Sequence, residues 1–418
     1  MGEKQILAAL EITSHEIRLL VGEYYNTRLN VLRTERVPTK GISGINIDNH
    51  KTVVSSIRKA VDQASSEIGT RIERVLLCVP SYRVKKEKVN ISKKIDNYDR
   101  RITLDDMQTL SKRGYQMEST SDLTLVNWMN VKYLVDNIYT RAIPVGEPCS
   151  TLSADMDLFF ADKITTYDYA QLAEDSGLEI IDICLNSYAA CKEASIFEQS
   201  VSQNIISIQI EAEQTTLTVI AGSRIETTKS INSGYNDLVK ALISKYDVPT
   251  VTAKKLVLQN LDLGVVKPAD SPVYMWTKNE ENLIITEKEL YDIVTKVVHG
   301  WVNELADICG PILEIGNVKV LISGEGAELD GLDKFIGDAF NCKAMIYYPD
   351  IIGARSSMWT VCLGMIYGFI DQLPLYRHKK MSINQASFIE SIRKRVRQEE
   401  PDDNLTKRLK SFFSKPEK

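Results

Sequence analysis

The amino-acid sequence predicts an α/β protein in which one structural unit occurs twice, with a small α+β subdomain inserted into the first unit and an amphipathic helix at the C-terminal end. Three observations predict this fold class. A pattern of three strands and a helix recurs about two hundred residues along the chain, a charged segment separates the two occurrences, and the last residues combine apolar and basic side chains at helical spacing. Strands followed by helices in this order predict two α/β units with a cleft between them.

Three strand-like runs begin the first unit. Ile6 to Leu10 and Ile17 to Val21 are apolar, and a third run ends near Val37. Short apolar runs bounded by turn residues favour β-strands. After Gly44 the apolar residues take helical spacing from Val53 to Ile68, so we expect a helix to follow the strands.

Residues 80–162 interrupt the first unit and differ from it in character. Charged loops with clustered lysines and arginines surround short strands such as Leu123 to Trp128. This mixture predicts an inserted α+β subdomain. The basic clusters favour solvated faces of that subdomain, with a binding patch as the alternative.

The second unit repeats the pattern of the first. Ile205 to Ile210 and Leu217 to Ala221 are strand-like, and a third run reaches Ile231. Gly234 then leads into a predicted helix from Tyr235 to Tyr246. The same order in both units is the reason for predicting a duplicated fold.

The rest of the second unit contains a long helical pattern and a glycine turn. Val248 to Ile285 is predicted to be rich in loops, and Glu287 to Cys309 to be a helix. A strand from Val318 to Ile322 is followed by a glycine-containing turn and a predicted helix from Leu332 to Phe340. A strand, a glycine turn and a helix in this order bind phosphate in many folds, and the same order also serves as an ordinary structural turn.

These patterns divide the chain into segments. They are residues 1–79 (first half), 80–162 (inserted subdomain), 163–200 (return to the first half), 201–236 (second half), 237–313 (a subdomain of the second half), 314–376 (closing segments of both halves), 377–403 (charged linker) and 404–418 (amphipathic helix).

The amphipathic helix at residues 404–418 has one apolar stripe. Its apolar residues are Leu405, Leu409, Phe412 and Phe413, and its cations are Lys407, Arg408, Lys410, Lys415 and Lys418. Such a helix would insert its apolar face into a bilayer interface and place its cations near anionic headgroups. We therefore favour a membrane anchor over a helix packed on the protein's own core or in a groove of a partner.

Charge is distributed unevenly along the 418 residues. Residues 377–418 carry a net charge of +6, whereas the whole chain carries −5. The acidic body argues against nucleic acid as a partner, and the basic tail argues for an anionic surface such as lipid. A second basic amphipathic stretch at residues 388–397 is either part of the membrane contact or a linker helix with a solvated face.

Other residue patterns exclude several classes of protein. No segment approaches ~18 consecutive apolar residues, and the N-terminal residues lack the features of a signal peptide, so we expect a cytosolic protein. The seven cysteines lie far apart, mostly in apolar runs, and are expected to be reduced core residues. The four histidines show no metal-ligand spacing, so no metal site is predicted.

Several motifs then occur in a specific order along nearly the whole chain. They are Leu10-Glu11-Ile12-Thr13-Ser14, the end of the insert at Pro144-Val145-Gly146, the second strand hairpin, Val320-Leu321-Ile322-Ser323-Gly324 and the basic C-terminal helix. This order resembles the FtsA family of bacterial cell-division proteins, which belongs to the actin/Hsp70 superfamily. The resemblance implies an actin-like (ribonuclease H-like) duplicated fold with its insert in the first half.

The resemblance also implies a function and partners. It implies a membrane adaptor of the divisome that holds FtsZ filaments against the cytoplasmic face of the cell membrane at the division site. It implies self-association into actin-like filaments and contact with other divisome proteins. In the family the FtsZ C-terminal peptide docks on a subdomain whose helix resembles Glu287 to Cys309. The peptide contacts implied here are Val294, Lys296 and Trp301, although the basic residue of the family falls at Val294 in this chain.

A nucleotide site is the second feature that the resemblance implies. The residues that match it are Glu11, Thr13, Ser14, Gln209, Glu211, Glu213, Gln214, Lys254, Gly324, Glu325 and Gly326. Proteins of the superfamily bind ATP through glycine-rich loops, because glycine lets backbone N–H groups approach phosphate oxygens. Here Thr13 replaces a glycine of the first loop, and Gln209 to Gln214 replaces Asp-Ile-Gly-Gly-Gly-Thr.

These departures disfavour ATP with Mg²⁺ as a ligand. A carboxylate ~4 Å from a phosphate charge is opposed by ~1 kcal/mol in water and by ~4 kcal/mol at a protein surface. Gln209 also replaces the carboxylate that would hold Mg²⁺ and its water. We therefore expect weak or absent ATP binding, no catalytic residues and no ATPase activity.

Two other functions share the predicted fold. One is an ATP-binding actin-like filament protein or ATPase that scaffolds another membrane machine, such as that of a pilus. The other is an enzyme of the superfamily, such as a sugar kinase or an ATP-driven chaperone. The second requires intact phosphate loops, which the sequence does not show.

Overall fold

The computed structural model describes residues 4–116, 122–265, 267–278, 281–376 and 381–384, together with residues 388 and 390. The amphipathic helix predicted at 404–418 lies outside these residues, as does most of the basic stretch at 388–397. The described chain forms two similar α/β halves and an inserted subdomain. The predicted fold class is therefore confirmed for this part of the chain.

The first half and the insert alternate along the sequence. The first half begins with β1 (Gln5–Ile12), β2 (Glu16–Tyr25), β3 (Arg28–Pro38), β4 (Ile42–Ser43), β5 (Asn46–Ile47), α1 (His50–Ile68) and β6 (Arg74–Val79). The insert contains β7 (Lys85–Lys94), α2 (Leu104–Tyr115), β8 (Leu123–Val135), β9 (Ile138–Thr140) and β10 (Thr151–Asp162). The chain returns to the first half with α3 (Lys163–Asp175), β11 (Glu179–Leu185), α4 (Asn186–Glu193) and α5 (Ile196–Gln199).

The second half follows as one continuous segment. It contains β12 (Asn204–Ile210), β13 (Thr215–Ala221), β14 (Arg224–Ile231), α6 (Tyr235–Tyr246), α7 (Thr250–Gln259), β15 (Pro272–Lys278), β16 (Glu281–Thr286), α8 (Glu287–Ile315), β17 (Val318–Ser323), α9 (Leu332–Phe340) and β18 (Lys343–Ile346). α10 (Thr360–Gln372) then crosses back and packs against α4 of the first half.

The two five-stranded sheets have the same plan. Given in the same direction, their strand orders are β3-β2-β1-β6-β11 and β14-β13-β12-β17-β18. β1 pairs antiparallel with β2 and parallel with β6, and β12 pairs in the same way with β13 and β17. The turn from β1 to β2 is therefore equivalent to the turn from β12 to β13. Because the two turns occupy equivalent positions, their residues meet between the halves.

The strands at the centre of each sheet are buried over nearly their whole length. All eight residues of β1 are buried, and α10 and α1 pack on this sheet. A strand that is covered on both faces has a continuous apolar sequence, because neither face meets water. This is why Ile6 to Leu10 and Ile205 to Ile210 could be recognised from the sequence.

The inserted subdomain has a core of its own. Its sheet has the order β7-β10-β8-β9, and α2 packs against β7 and β10. α2 begins with a capping box, in which Asp106 N–H donates to Thr103 Oγ1 at 3.2 Å and the Asp106 carboxylate accepts from Thr103 N–H at 2.9 Å. Met107, Trp128 and Met156 are among the buried core residues.

Two predictions about the second half are corrected. The segment from Val248 to Ile285 is not rich in loops, because it contains α7 and the paired strands β15 and β16. α7 is short and no side chain caps its first turn, so it lacked a sequence signal. α8 extends beyond the predicted end at Cys309 to Ile315 and includes Pro311. The predicted bounds of α6 and α9 are confirmed.

Residues near the C-terminal end of the described chain add to the first half. The Ser382 hydroxyl accepts from Ala8 N–H at 2.7 Å, and Ser382 N–H donates to Ile6 O at 2.9 Å. Ile383 and Phe388 belong to the core of this half. All seven cysteines are free, and only Cys342 among them is partly exposed. In the described part of the chain no helix has the length and hydropathy required to span a membrane.

We expect replacement of Gly364 by alanine to destabilise the protein by at least ~2 kcal/mol. A Cβ atom at this position would lie 1.9 Å from the carbonyl oxygen of Ala189. The helix α4 would therefore have to move away from α10. Gly300→Ala is the matched control, since that helical glycine has no heavy atom within 4 Å of an added Cβ. The control should be neutral or stabilising by up to ~1 kcal/mol. Urea unfolding measures both, and equal losses would contradict the close packing.

Candidate functional site

Two equivalent turns meet in the cleft between the halves. The turn from β1 to β2 carries Thr13, Ser14 and His15, and the turn from β12 to β13 carries residues 211–214. A backbone hydrogen bond closes each turn, from Thr13 N–H to Glu16 O at 3.0 Å and from Glu211 N–H to Gln214 O at 2.9 Å. Both turns line the same small cavity. The duplicated fold therefore brings these two short segments together.

Arg18 on β2 is the central residue of the cleft. Its side chain is completely buried. Nη1 and Nη2 donate to the two carboxylate oxygens of Glu211 at 3.1 and 2.8 Å, in the forked geometry that arginine and carboxylate favour. Nε donates to Glu16 at 2.6 Å, and Nη1 lies 3.4 Å from Glu11. One guanidinium therefore binds carboxylates of both halves.

Glu325 is the second centre of charge in the cleft, directly after β17. Its Oε2 lies 2.6 Å from His15 Nε2 and accepts from the Tyr235 hydroxyl at 2.6 Å. Its Oε1 lies 3.2 Å from Arg36 Nη2 and 3.3 Å from Lys254 Nζ. His15 and Arg36 belong to the first half, whereas Tyr235 and Lys254 belong to the second. Glu325 thus joins the halves a second time.

We call Glu11, His15, Glu16, Arg18, Arg36, Glu211, Tyr235, Lys254 and Glu325 the cleft network. Burial raises the pKa of Glu11 to about 8, with further increases from Glu211 and Glu16 that the charge of Arg18 opposes. Burial would also raise the pKa of Glu325, but a hydrogen bond from His15 and nearby positive charges hold it well below its usual range. Glu11 therefore retains a proton at neutral pH, whereas Glu325 is ionised.

The cleft network leaves little free volume. The cavity between the two turns measures about 40 Å³ and is lined by residues that include Glu11, Gln209 and Glu211. Ordinary ligand pockets measure ~300–1,000 Å³. The cavity between the two turns is therefore much smaller than an ordinary ligand pocket.

Gly324 and Gly326 have a packing role in this structure. Gly324 has a φ of +93°, and a Cβ atom there would lie 2.3 Å from the carbonyl oxygen of Ile210. A Cβ atom at Gly326 would lie 2.3 Å from Cγ2 of Ile210. The glycine turn after β17 therefore lets the chain pass directly against the end of β12.

The residues predicted around a nucleotide do come together at the cleft. Glu11, Thr13, Ser14, Gln209, Glu211 and Gln214 line the cavity, Lys254 and Glu325 belong to the cleft network, Gly324 and Gly326 pack beside β12, and Glu213 accepts from Gly44 N–H at 2.9 Å. Glu211, which was predicted to disfavour a phosphate group, forms an ion pair with Arg18.

Sequence reasoning missed His15, Arg18, Arg36 and Tyr235. Arg18 stands within the run Ile17 to Val21, which was interpreted only as an apolar strand. An arginine in a fully buried strand requires a charged partner, and this is the signal that could have identified it. Its partner Glu211 lies 193 residues away in the sequence. Only the fold shows that the two residues meet.

The residues predicted to contact the FtsZ peptide do not form one surface. Val294 and Trp301 are buried in the core of the second half, where a peptide at the surface cannot reach their side chains. The inward face of α8 is apolar, and both residues lie on it. Lys296 is exposed and is the accessible residue of the three.

One group of side chains in the described residues has the spacing of a metal site. His15, Glu16 and Glu325 place one ligand atom each within 4.8 Å of one another. Glu16 is bonded to Arg18 and Arg36, and Glu325 to Arg36 and Lys254. A cation at this position would have to displace these partners.

Comparison with known proteins finds cell-division proteins among the sequence relatives. The chain is 20% identical to cell division protein FtsA of Bacillus subtilis over 373 residues, which are 88% of this chain and 84% of the relative. It is 19% identical to FtsA of Enterococcus hirae, with 99% of each chain covered. FtsA of Streptococcus pneumoniae is 21% identical over 85% of this chain and 78% of its own length. No protein-family model matches the chain.

Solved structures with the same fold cover most of the chain. A chain of the PilM–PilN type IV pilus biogenesis complex has a TM-score of 0.59 at 13% identity and covers 87% of this chain and 98% of its own length. MreB5 of Spiroplasma citri bound to ADP has a TM-score of 0.52 at 13% identity and covers 88% of this chain and 97% of its own. At these identities the similarity concerns the fold alone.

The duplicated sheets, the two facing turns and these structural neighbours define an actin-like fold. Within that fold the sequence relatives support an FtsA-type protein, because FtsA cell-division proteins match most of the chain at 19–21% identity.

Replacement of Arg18 by methionine should lower the free energy of unfolding by ~3–5 kcal/mol, because it leaves buried carboxylates without their shared cation. The control is Lys85→Met on β7, which removes an exposed lysine paired with the partly exposed Glu87 at 2.8 Å. That change should have little effect, since exposed ion pairs contribute little. Urea unfolding compares the two variants, and equal losses would contradict a central role for Arg18.

Glu11 should make the protein less stable as the pH rises from about 5 to 8. Its folded pKa is about 8 against an ordinary value of 4.5, so within this range the folded state holds a proton that the unfolded state has lost. Stability then falls with a slope of at most ~1.4 kcal/mol per pH unit. Glu11→Gln should remove this part of the slope. Urea unfolding of both proteins at several pH values measures it, and parallel curves would contradict the prediction.

Proposed function

We propose that this chain is a nucleotide-independent membrane adaptor of the bacterial divisome. In this proposal it tethers FtsZ filaments to the cytoplasmic face of the cell membrane at the division site and associates with itself into actin-like filaments. The observation that carries the nucleotide-independent part is the cleft network, in which Arg18 joins the two halves through Glu211. The divisome part is supported by the FtsA relatives.

The cleft network argues against a role for ATP in holding the halves together. MreB5 of Spiroplasma citri has been solved with ADP and with AMPPNP bound, so a nucleotide occupies that protein of the same fold. In this chain, entry of a triphosphate between the two turns requires that Glu211 be separated from Arg18. Breaking one buried ion pair costs ~3–5 kcal/mol, which weakens binding about 10²- to 10³-fold or more. We therefore propose that the chain is not an ATPase.

The membrane part of the proposal is supported by the sequence of residues 404–418. Phe412 and Phe413 lie on one apolar stripe, and the flanking cations suit anionic headgroups. Residues 381–384 are tied to β1, so the segment that follows leaves the first half from a fixed position. The described helices include none that could span a membrane, and the proposed attachment is peripheral.

Docking of the FtsZ C-terminal peptide is proposed at the exposed face of α8. Lys296 is the predicted contact that solvent can reach there. The proposal for this contact is supported by the resemblance of α8 to the docking helix of the family. The alternative is an ATP-binding filament protein or ATPase that scaffolds a pilus-type machine. Its support is the fold shared with a chain of the PilM–PilN complex, and no residue of the cleft favours it.

Vesicle co-sedimentation with the full chain tests the adaptor. We expect binding to vesicles that contain anionic lipid and recruitment of a soluble carrier bearing the FtsZ C-terminal peptide. A chain ending at Asp403 and the double variant Phe412→Asp, Phe413→Asp should both lose vesicle binding, because the apolar stripe is removed or charged. Lys296→Glu should lose carrier recruitment only. Lys288→Glu, also exposed on α8, is its matched control.

This assay can contradict each part of the adaptor proposal independently of the others. Vesicle binding without recruitment of the carrier would contradict FtsZ as the partner. Absence of vesicle binding by the full chain would contradict membrane attachment. Equal loss of recruitment in Lys296→Glu and Lys288→Glu would contradict a specific contact at Lys296.

Equilibrium binding of ATP to the full chain tests the cleft. We expect no saturable binding up to about 1 mM ATP with Mg²⁺, since the cavity of about 40 Å³ is closed by Arg18 and Glu211. Titration calorimetry measures this. Stoichiometric binding at micromolar ATP would contradict nucleotide independence and favour the ATP-binding filament protein.

A further inference from the structure

An open pocket lies between the insert and the first half. It measures about 360 Å³, and its rim includes Arg141, Glu198 and Asp371, which are exposed to solvent. We call it the seam pocket. Ordinary ligand pockets measure ~300–1,000 Å³. The seam pocket lies within this range, whereas the cavity of about 40 Å³ in the cleft lies far below it.

Most of the lining of the seam pocket is apolar or aromatic. The apolar residues of the lining include Trp128, Met129, Ile143, Tyr188, Phe197 and Leu375. Met129 and Ile143 are only half-buried, so part of this surface meets water. Contact with apolar side chains would remove that water, which the hydrophobic effect favours. The seam pocket therefore suits a ligand with apolar groups.

A second pocket of similar volume has a different lining. It measures about 350 Å³ and lies between α1 and α3. Its lining residues are His50, Lys51, Val54, Ser55, Arg58 and Asp175. Val54 is the one apolar residue of this set, and the basic side chains would repel a basic ligand. Of these two pockets, a segment that is both apolar and basic favours the seam pocket.

The charged groups at the rim of the seam pocket are not evenly paired. The side chains of Glu198 and Asp371 are 64% and 57% exposed. Lys192 lies 2.5 Å from Asp371 and 3.9 Å from Glu198, so that one cation is shared by two carboxylates. This group therefore keeps a net negative charge that suits basic side chains. Arg141 is the cation that the insert adds, and it donates to the hydroxyl of Ser223 at 2.9 Å.

The chain itself carries a segment that combines apolar and basic residues. Residues 404–418 lie outside the described residues, and their sequence places Leu405, Leu409, Phe412 and Phe413 at helical spacing among five cations. In water without lipid, an uncovered apolar stripe of this kind is unfavourable. The segment therefore gains from an apolar surface of its own protein that lies within reach.

The seam pocket lies within reach of this segment. Leu375 lines the pocket, and Ser382, a little further along the chain, is bonded to β1. Phe388 belongs to the core of the first half. The fourteen positions from residue 390 to residue 404 span up to ~45 Å. A five-stranded sheet is only ~20 Å wide, so the connection can cross the first half.

We propose that residues 404–418 dock in the seam pocket when no membrane is present. Phe412 and Phe413 then contact the apolar lining, and the cations of the segment lie near Glu198 and Asp371. This inference rests on the membrane attachment proposed above. One apolar stripe cannot be buried in the pocket and in a bilayer at the same time, so an anionic membrane competes with the pocket for the segment. Attachment to the membrane therefore empties the pocket.

Binding of a fluorescent peptide of residues 404–418 tests the docking. The receptor is the full chain with Phe412→Asp and Phe413→Asp, whose own segment cannot fill the pocket. Fluorescence anisotropy without lipid should show saturable binding. The wild-type chain should bind the peptide at least about tenfold more weakly, because its own tethered segment occupies the pocket. Equal binding to the two chains, or none to the double variant, would overturn the proposal.

Two substitutions in one loop of the insert locate the docking site. Ile143 lines the seam pocket, whereas Val145 is 48% exposed and lies outside the lining. In the same double variant, Ile143→Lys should weaken peptide binding at least about tenfold, because it places a cation in the apolar lining. Val145→Lys is the matched control and should leave the affinity unchanged. A folded Ile143→Lys protein with unchanged affinity for the peptide would contradict docking at this pocket.

Titration with anionic vesicles tests the competition, with residues 404–418 intact. The full chain with Ile143→Lys should bind vesicles more tightly than the full chain with Val145→Lys, because the pocket no longer holds the segment. The gain should be about tenfold if one tenth of the segments are free in the control. Equal affinities would overturn the competition.

The docking and the membrane attachment can fail independently. Absence of vesicle binding by the full chain would contradict the attachment. The peptide titration contains no lipid and decides the docking alone. Its comparison of the wild-type chain with the double variant also holds if Ile143→Lys does not fold.

Discussion

A guanidinium without solvent exposure needs negative charge around it, and Arg18 finds that charge in glutamates of both halves. Much of the cleft depends on this requirement. Glu211 lies beside β2 because its carboxylate binds Arg18. Glu325 binds other cations of the cleft network, among them Arg36. The halves of the protein are thus joined by its own side chains. A network of this kind is costly to break at one point because each remaining charge would be buried and unpaired.

The sequence was sufficient to predict the fold and insufficient to predict the chemistry of the cleft. Strands buried on both faces and helices with strong periodicity were recognised from the sequence. The signal is local in both cases, a continuous apolar run in β1 and a helical apolar period in α9. α7 was missed because it is short and uncapped. The cleft residues were located correctly as a group, but their pairing was not. Arg18 and Glu211 interact across 193 residues, and no local pattern reports such a contact.

Different parts of the molecule have different roles in its structure. The inward face of α8 builds the core of the second half, so that only its outward face is available to a partner. The glycine turn after β17 serves close packing against Ile210. The insert adds a third body that touches both halves, and its contact with β14 is polar. Apolar packing also joins these bodies, since Phe159 of the insert and Ile205 of the second half belong to the core of the first half.

The distribution of the cleft network over two distant parts of the chain has a consequence for how such a protein changes over evolutionary time. Substitution of Glu211 by glycine would leave Arg18 buried without its forked partner. Loss of Arg18 first would leave the carboxylates of Glu16 and Glu211 without their shared cation. Either single step is strongly destabilising. An open loop at residues 211–214 would therefore require two coupled substitutions in opposite halves, at Arg18 and at Glu211.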